Sequence, residues 1–69
     1  MKTYSAVIER DSDTGLFVGF VPGFSGAHSQ GASLQELNAH FHEVVSMLLE
    51  DGEPVLESEF VGVQTVAIV

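Results

Sequence analysis

The stretch Ser25 to Ser33, SGAHSQGAS, comes closest to a recognisable chemistry. Ala27-His28-Ser29-Gln30-Gly31 carries the small-x-Ser-x-Gly letters of the turn on which α/β-type hydrolases mount a nucleophilic serine. Such a serine needs a base within about 3 Å, a group that orients the base, and donors for the oxyanion. The imidazoles on offer are His28, His40 and His42. His28 adjoins Ser29 and points to the other side of an extended chain. His40 and His42 fall roughly two to three turns into the helix that follows. A nucleophile elbow also turns directly from strand to helix, whereas Gly31 and Ala32 separate Ser29 from a helix start at Ser33. The expected role of the loop is therefore a turn and short strand of small residues, with Gly26 and Gly31 as its bends and no catalytic residue.

Metal chemistry fares no better. His40 and His42 are two apart, which on a helix places them about 200° from each other. Glu36 with His40, or His40 with Glu43, has ligand spacing, but a pair is half a site. The sequence contains no cysteine, which closes off thiolate ligands and disulfides alike. Gly23, Gly26 and Gly31 follow neither phosphate-binding glycine pattern and have no lysine nearby. No metal, cofactor or enzymatic activity is expected.

Charge excludes more. Two Lys and Arg stand against ten Asp and Glu, a formal net charge of −8 over 69 residues. Binding to a phosphate backbone draws on Lys and Arg releasing counterions, and Lys2 and Arg10 alone make no basic stripe. Direct nucleic-acid binding is not expected. A field of this sign steers toward a basic partner, and it also serves solubility. The acids group as Asp11 and Asp13, then Glu50, Asp51 and Glu53, then Glu57 and Glu59. Each group reads as a solvated turn, and together they suggest an acidic rim. No apolar run nears the roughly 20 residues of a membrane span, and MKTYSAVIER lacks the pattern of a cleaved leader. The expected location is the cytoplasm, away from any membrane.

The elements that position these groups follow from periodicity. Thr3–Arg10 and Gly15–Val21 are rich in β-branched and aromatic residues around the turn residues DSDTG, which predicts an antiparallel hairpin. Both strands are apolar on both faces, so one face is expected to meet a helix and the other something else. Pro22-Gly23 closes the second strand, and a short third strand or loop follows. Ser33-Leu34-Gln35-Glu36 is a capping box. From it Leu34, Leu37, Phe41, Val44, Val45 and Leu48 lay an apolar stripe along a helix to about Glu50, stopped by Gly52. Phe60–Val69 predicts a last strand. So small a domain has a marginal core, and an apolar strand left as a free edge invites pairing. Self-association through Phe60, Val61, Val63, Val66 and Ile68, as a homodimer or higher oligomer, is therefore expected.

YSAVIERD, GLFVGFVPGFSGAHSQGASLQE and EDGEPV, in that order over roughly Tyr4 to Val55, resemble the HicB family of type II antitoxins. The resemblance lies in the order of short motifs. It implies an α+β domain, a partial ribonuclease-H-like ββ(β)αβ arrangement with a three- to four-stranded sheet packed on one helix. It also implies a partner, a small basic HicA-type mRNA-cleaving toxin that the antitoxin occludes; Asp11, Asp13, Glu50, Asp51 and Glu53 are the residues taken to meet it. The alternative is an orphan homo-oligomeric scaffold or ligand-binding module. The chain differs from the family in its loop Pro22–Ala27, which lacks the usual acidic residue and cysteine, and in a helix that is not alanine-rich. A single domain over 1–69 is expected, without the family's additional DNA-binding module. Nucleases of the ribonuclease-H type gather carboxylates around two metal ions; here Glu9, Asp11 and Asp13 follow one another through a strand end and a turn, and no cluster is expected.

Overall fold

The structure, a computed structural model, describes residues 2–69. Three strands, β1 (Val7–Arg10), β2 (Phe17–Phe20) and β3 (His28–Gly31), form one antiparallel sheet in the order β1-β2-β3, followed by the helix α1 (Leu34–Leu49). This is an α+β fold with a three-stranded sheet.

The β1–β2 turn is built by the residues that predicted it. The Asp11 carboxylate accepts from the Thr14 backbone N–H at 3.0 Å and from its hydroxyl at 2.7 Å. Gly15, at φ +74°, donates to the Asp11 carbonyl, a conformation that costs other residues about 1–2 kcal/mol. Val7 then lies opposite Phe20, and Arg10 opposite Phe17. Strand β1 is four residues long where Thr3–Arg10 was predicted. Its partner β2 ends at Phe20, the Val21 N–H turns to the Ala27 carbonyl, and Pro22 has no donor to extend the ladder. Tyr4 is drawn inward instead, its ring 5.4 Å from that of Phe24.

Helix α1 starts as the capping box predicts on one side: the Ser33 hydroxyl accepts from the Glu36 N–H at 3.1 Å. The reciprocal bond, in which the Ser33 N–H would donate to the Glu36 carboxylate, is absent among the described residues. The helix closes at Leu49, and Gly52 at φ +102° donates to the Leu49 carbonyl.

Val21, Phe24, Ala27, Leu37 and Phe41 form the buried core, with Tyr4, Phe17, Val45, Leu48 and Leu49 packed around it. Gly19 and Gly31 bring sheet and helix together. A Cβ on Gly19 would stand 2.6 Å from the Phe41 ring, and one on Gly31 would stand 2.6 Å from the Leu37 backbone nitrogen. Gly26 is a bend as expected, at φ +84°. Gly31 is not a bend; it ends a regular strand and admits the first turn of α1. The helix lies over β3 and part of β2 and leaves the β1 side of the sheet uncovered.

The predicted last strand does not form. Phe60–Val69 has no ladder partner among the described residues, and Val61, Val63, Val66 and Ile68 are 71–91% exposed. The chain crosses the β2–β3 loop at Gly23, whose carbonyl accepts from the Glu57 N–H at 2.9 Å, and a Cβ on Gly23 would collide with the Ser58 backbone. Beyond that crossing the segment pairs with no strand among the described residues, and strand propensity alone leaves its backbone groups to water.

Candidate functional site

The β1–β2 turn and the start of α1 share one end of the domain, because Arg10, Phe17 and Gly31 are in register and Gly31 leads into the helix. Helix α1, about 24 Å long at about 1.5 Å per residue, returns to the opposite end, where Leu48 lies beside Gly26. Asp11 and Asp13 therefore sit at one end, and Glu50, Asp51 and Glu53 at the other. They form two separate acidic groups, not the single rim that their count suggested. All but Asp11 are exposed. Asp11 is committed to its turn: the hydroxyl and backbone N–H of Thr14 hold its carboxyl below the ordinary carboxylate value. Glu53 is paired with Lys2, and that hydrogen-bonded carboxylate raises the Lys2 ammonium above its usual value.

Ser29 faces the helix, its hydroxyl donating to the Leu37 carbonyl at 3.4 Å. His40 is also committed elsewhere; its Nδ1 lies 2.8 Å from the Gln30 carbonyl, to which it donates. His28 lies opposite Phe20 on the outer face of the sheet, across the strand from Ser29. Among the described residues no imidazole hydrogen-bonds to Ser29, and no group of three or more His, Asp or Glu is placed to hold a metal ion. No helix among the described residues is long and apolar enough to cross a membrane.

One concavity is signalled by no motif. Because α1 sits toward β3, an apolar groove of about 560 Å³ opens between β1 and the helix. Tyr4, Ala6 and Ile8 line its sheet wall, and Leu34, Phe41 and Val45 its helix wall. Strand β1 borders it with an edge that has no partner among the described residues. A sign did exist in the alternation of Tyr4, Ala6 and Ile8 along one face, but its partner surface depends on where the helix lands. Phe60, Val61, Val63, Val66 and Ile68, the residues expected to self-associate, are all exposed and belong to one segment.

The chain is 38% identical to a UPF0150 protein of Synechocystis sp. over 65 residues, which cover 94% of this chain and 93% of the relative. It is 40% identical over 65 residues to a UPF0150 protein of Archaeoglobus fulgidus, with 94% and 93% covered. A third UPF0150 protein, from Thermotoga maritima, is 34% identical over 68 residues, 97% of this chain and 91% of the relative. No family model matches the chain, and no solved structure does.

Proposed function

The chain belongs to the UPF0150 family, and from that premise we propose that this protein is a HicB-like antitoxin, a cytoplasmic module that binds and occludes a small basic HicA-type ribonuclease. The observation that carries the reading is the ordered run of motifs from YSAVIERD to EDGEPV. The net charge of −8 supports it by supplying the field that draws in a basic protein. Three antiparallel strands followed by a helix agree with the first part of a ββ(β)αβ unit, and the ribonuclease-H-like assignment belongs to the same proposal. With acids at both ends of the domain, the toxin would engage one end, through Asp11 and Asp13 or through Glu50, Asp51 and Glu53. Purified protein titrated with the product of a neighbouring small basic reading frame should form a complex at micromolar concentration and suppress RNA cleavage. Absence of binding there would sink the antitoxin reading.

The exposed apolar segment Phe60–Val69 favours a second reading, a homo-oligomeric module that acts without a toxin. A genome neighbourhood without a small basic reading frame is its signature.

A further inference from the structure

We propose that two copies of this chain exchange their 60–69 segments, each laying its segment along the open edge of β1 in the other copy's groove. The inference rests on a donor and an acceptor present in one molecule, and it stands whether or not a toxin partner exists.

The acceptor is the groove between β1 and α1. Ala6 and Ile8 face Leu34, Phe41 and Val45 across it, and Asn38, His42 and Ser46 add polar groups along the helix wall. Its floor is completed by an unpaired strand edge, which presents backbone donors and acceptors to a new strand. A strand added there would satisfy that edge and place every second side chain under α1.

The donor is FVGVQTVAIV, Phe60–Val69. It carries no charged residue, so its insertion buries no uncompensated charge despite the net charge of −8 on each copy. Ten extended residues reach about 33 Å, against about 24 Å for the sixteen residues of α1; the segment is long enough to run the length of the groove. Alternate residues are apolar on both of its faces, Val66 and Ile68 on one and Val61 and Val63 on the other. One face meets α1, and the other extends the outer sheet surface beside Val7. On that outer surface Val7 lies opposite Phe20, which is exposed.

A second copy is the occupant because the segment leaves its own domain. The Glu57–Gly23 bond fixes the point of departure, and from there Val61, Val63 and Ile68 are 87–91% exposed while the molecule stretches to 46 Å in its longest dimension. Reciprocal exchange of donor segment and acceptor groove makes an isologous twofold pair, in which the contact is made twice. Doubling it brings two strands and two grooves toward the roughly 1,600 Å² of a stable interface.

The absence of native cysteine makes the test direct. Chains carrying Ala6→Cys are unfolded and refolded together with chains carrying Thr65→Cys, then treated with a flexible bismaleimide. Exchange predicts covalent heterodimers between the two chains. If the mixture gives none, or if the double variant Ala6→Cys/Thr65→Cys is cross-linked within a single chain, the segment serves its own groove or none and the proposal is overturned. Sedimentation should show a dimer for the parent chain, and a monomer at tens of micromolar would equally overturn it. Val63→Asp and Val66→Asp lie on opposite faces of the segment and outside the core, so the domain keeps its helical circular dichroism. At least one of them should raise the dimer dissociation constant a hundredfold or more, and unchanged dissociation in both would refute the exchange. Toxin binding is read separately, so failure of one proposal does not imply failure of the other.

Discussion

Gly31→Ala tests whether the seating of α1 on β3 depends on the missing side chain. Gly31 is buried at the end of β3, and an added Cβ would stand 2.6 Å from the Leu37 nitrogen, 3.0 Å from its Cα and 3.1 Å from the Glu36 carbonyl carbon. These are backbone atoms in the first turn of the helix, so no side-chain rotation relieves the overlap. Only Ala32 and Ser33 lie between Gly31 and the helix, too short a link to let α1 rise freely while Ser33 still caps it. Overpacking of this kind typically costs about 1–3 kcal/mol, and contact with backbone places Gly31→Ala near the top of the range. At about 0.05–0.15 kcal/mol per residue, a domain of this size has roughly 3–10 kcal/mol in all. A loss of about 2–3 kcal/mol lowers Tm by roughly 10–20 °C in so small a domain. Urea titration followed by far-UV circular dichroism, at one fixed protein concentration to hold any association constant, reads the difference. Gln35→Ala is the control, an exposed position of the same helix that lies outside both the groove and residues 60–69. If Gly31→Ala falls within about 0.5 kcal/mol of the parent, the range of an ordinary surface substitution, the close approach does not constrain the fold and the reasoning fails.

Ser33→Ala removes the hydroxyl that accepts from the Glu36 N–H and should cost about 1 kcal/mol in the same titration; an unchanged midpoint would show that water caps the helix equally well. Asp11 has a carboxyl held below its ordinary value of 3.8 by the hydroxyl and N–H of Thr14. Its contribution is therefore complete above that value and lost as pH falls through the lowered one. Urea midpoints measured from about pH 5 downward should decline less steeply in Asp11→Asn than in the parent, and identical slopes would place the acid sensitivity elsewhere.

What could be read from the sequence was what neighbours in the chain decide. The Ser33 cap, the stop at Gly52 and the turn from Asp11 to Gly15 are each closed by residues within a few positions of one another, and each forms. Strand length was less legible because it depends on a partner. Thr3–Ala6 has strand composition, yet β2 ends before it can pair with them. Phe60–Val69 is the extreme case, with high β propensity and no ladder partner among the described residues. The groove was illegible for a related reason: the stripe of α1 specifies which face turns inward but not that the helix settles toward β3. Gly31 looks like a bend in the sequence because it follows a loop rich in small residues; the demand for closeness comes from Leu37, six residues later. The grouping of the acids into turns is legible in the sequence, but not the distance between the groups, which the antiparallel run of sheet and helix sets by placing them at two ends.

The spatial order of the strands repeats their order in the chain, and the helix packs chiefly on the strand that directly precedes it. Each pairing closes a short loop, an arrangement that favours rapid folding. The sheet and α1 therefore assemble without waiting for residues 60–69. Strand exchange is a later, second-order event, and refolding should separate into a fast phase independent of protein concentration and a slower one whose rate rises with it.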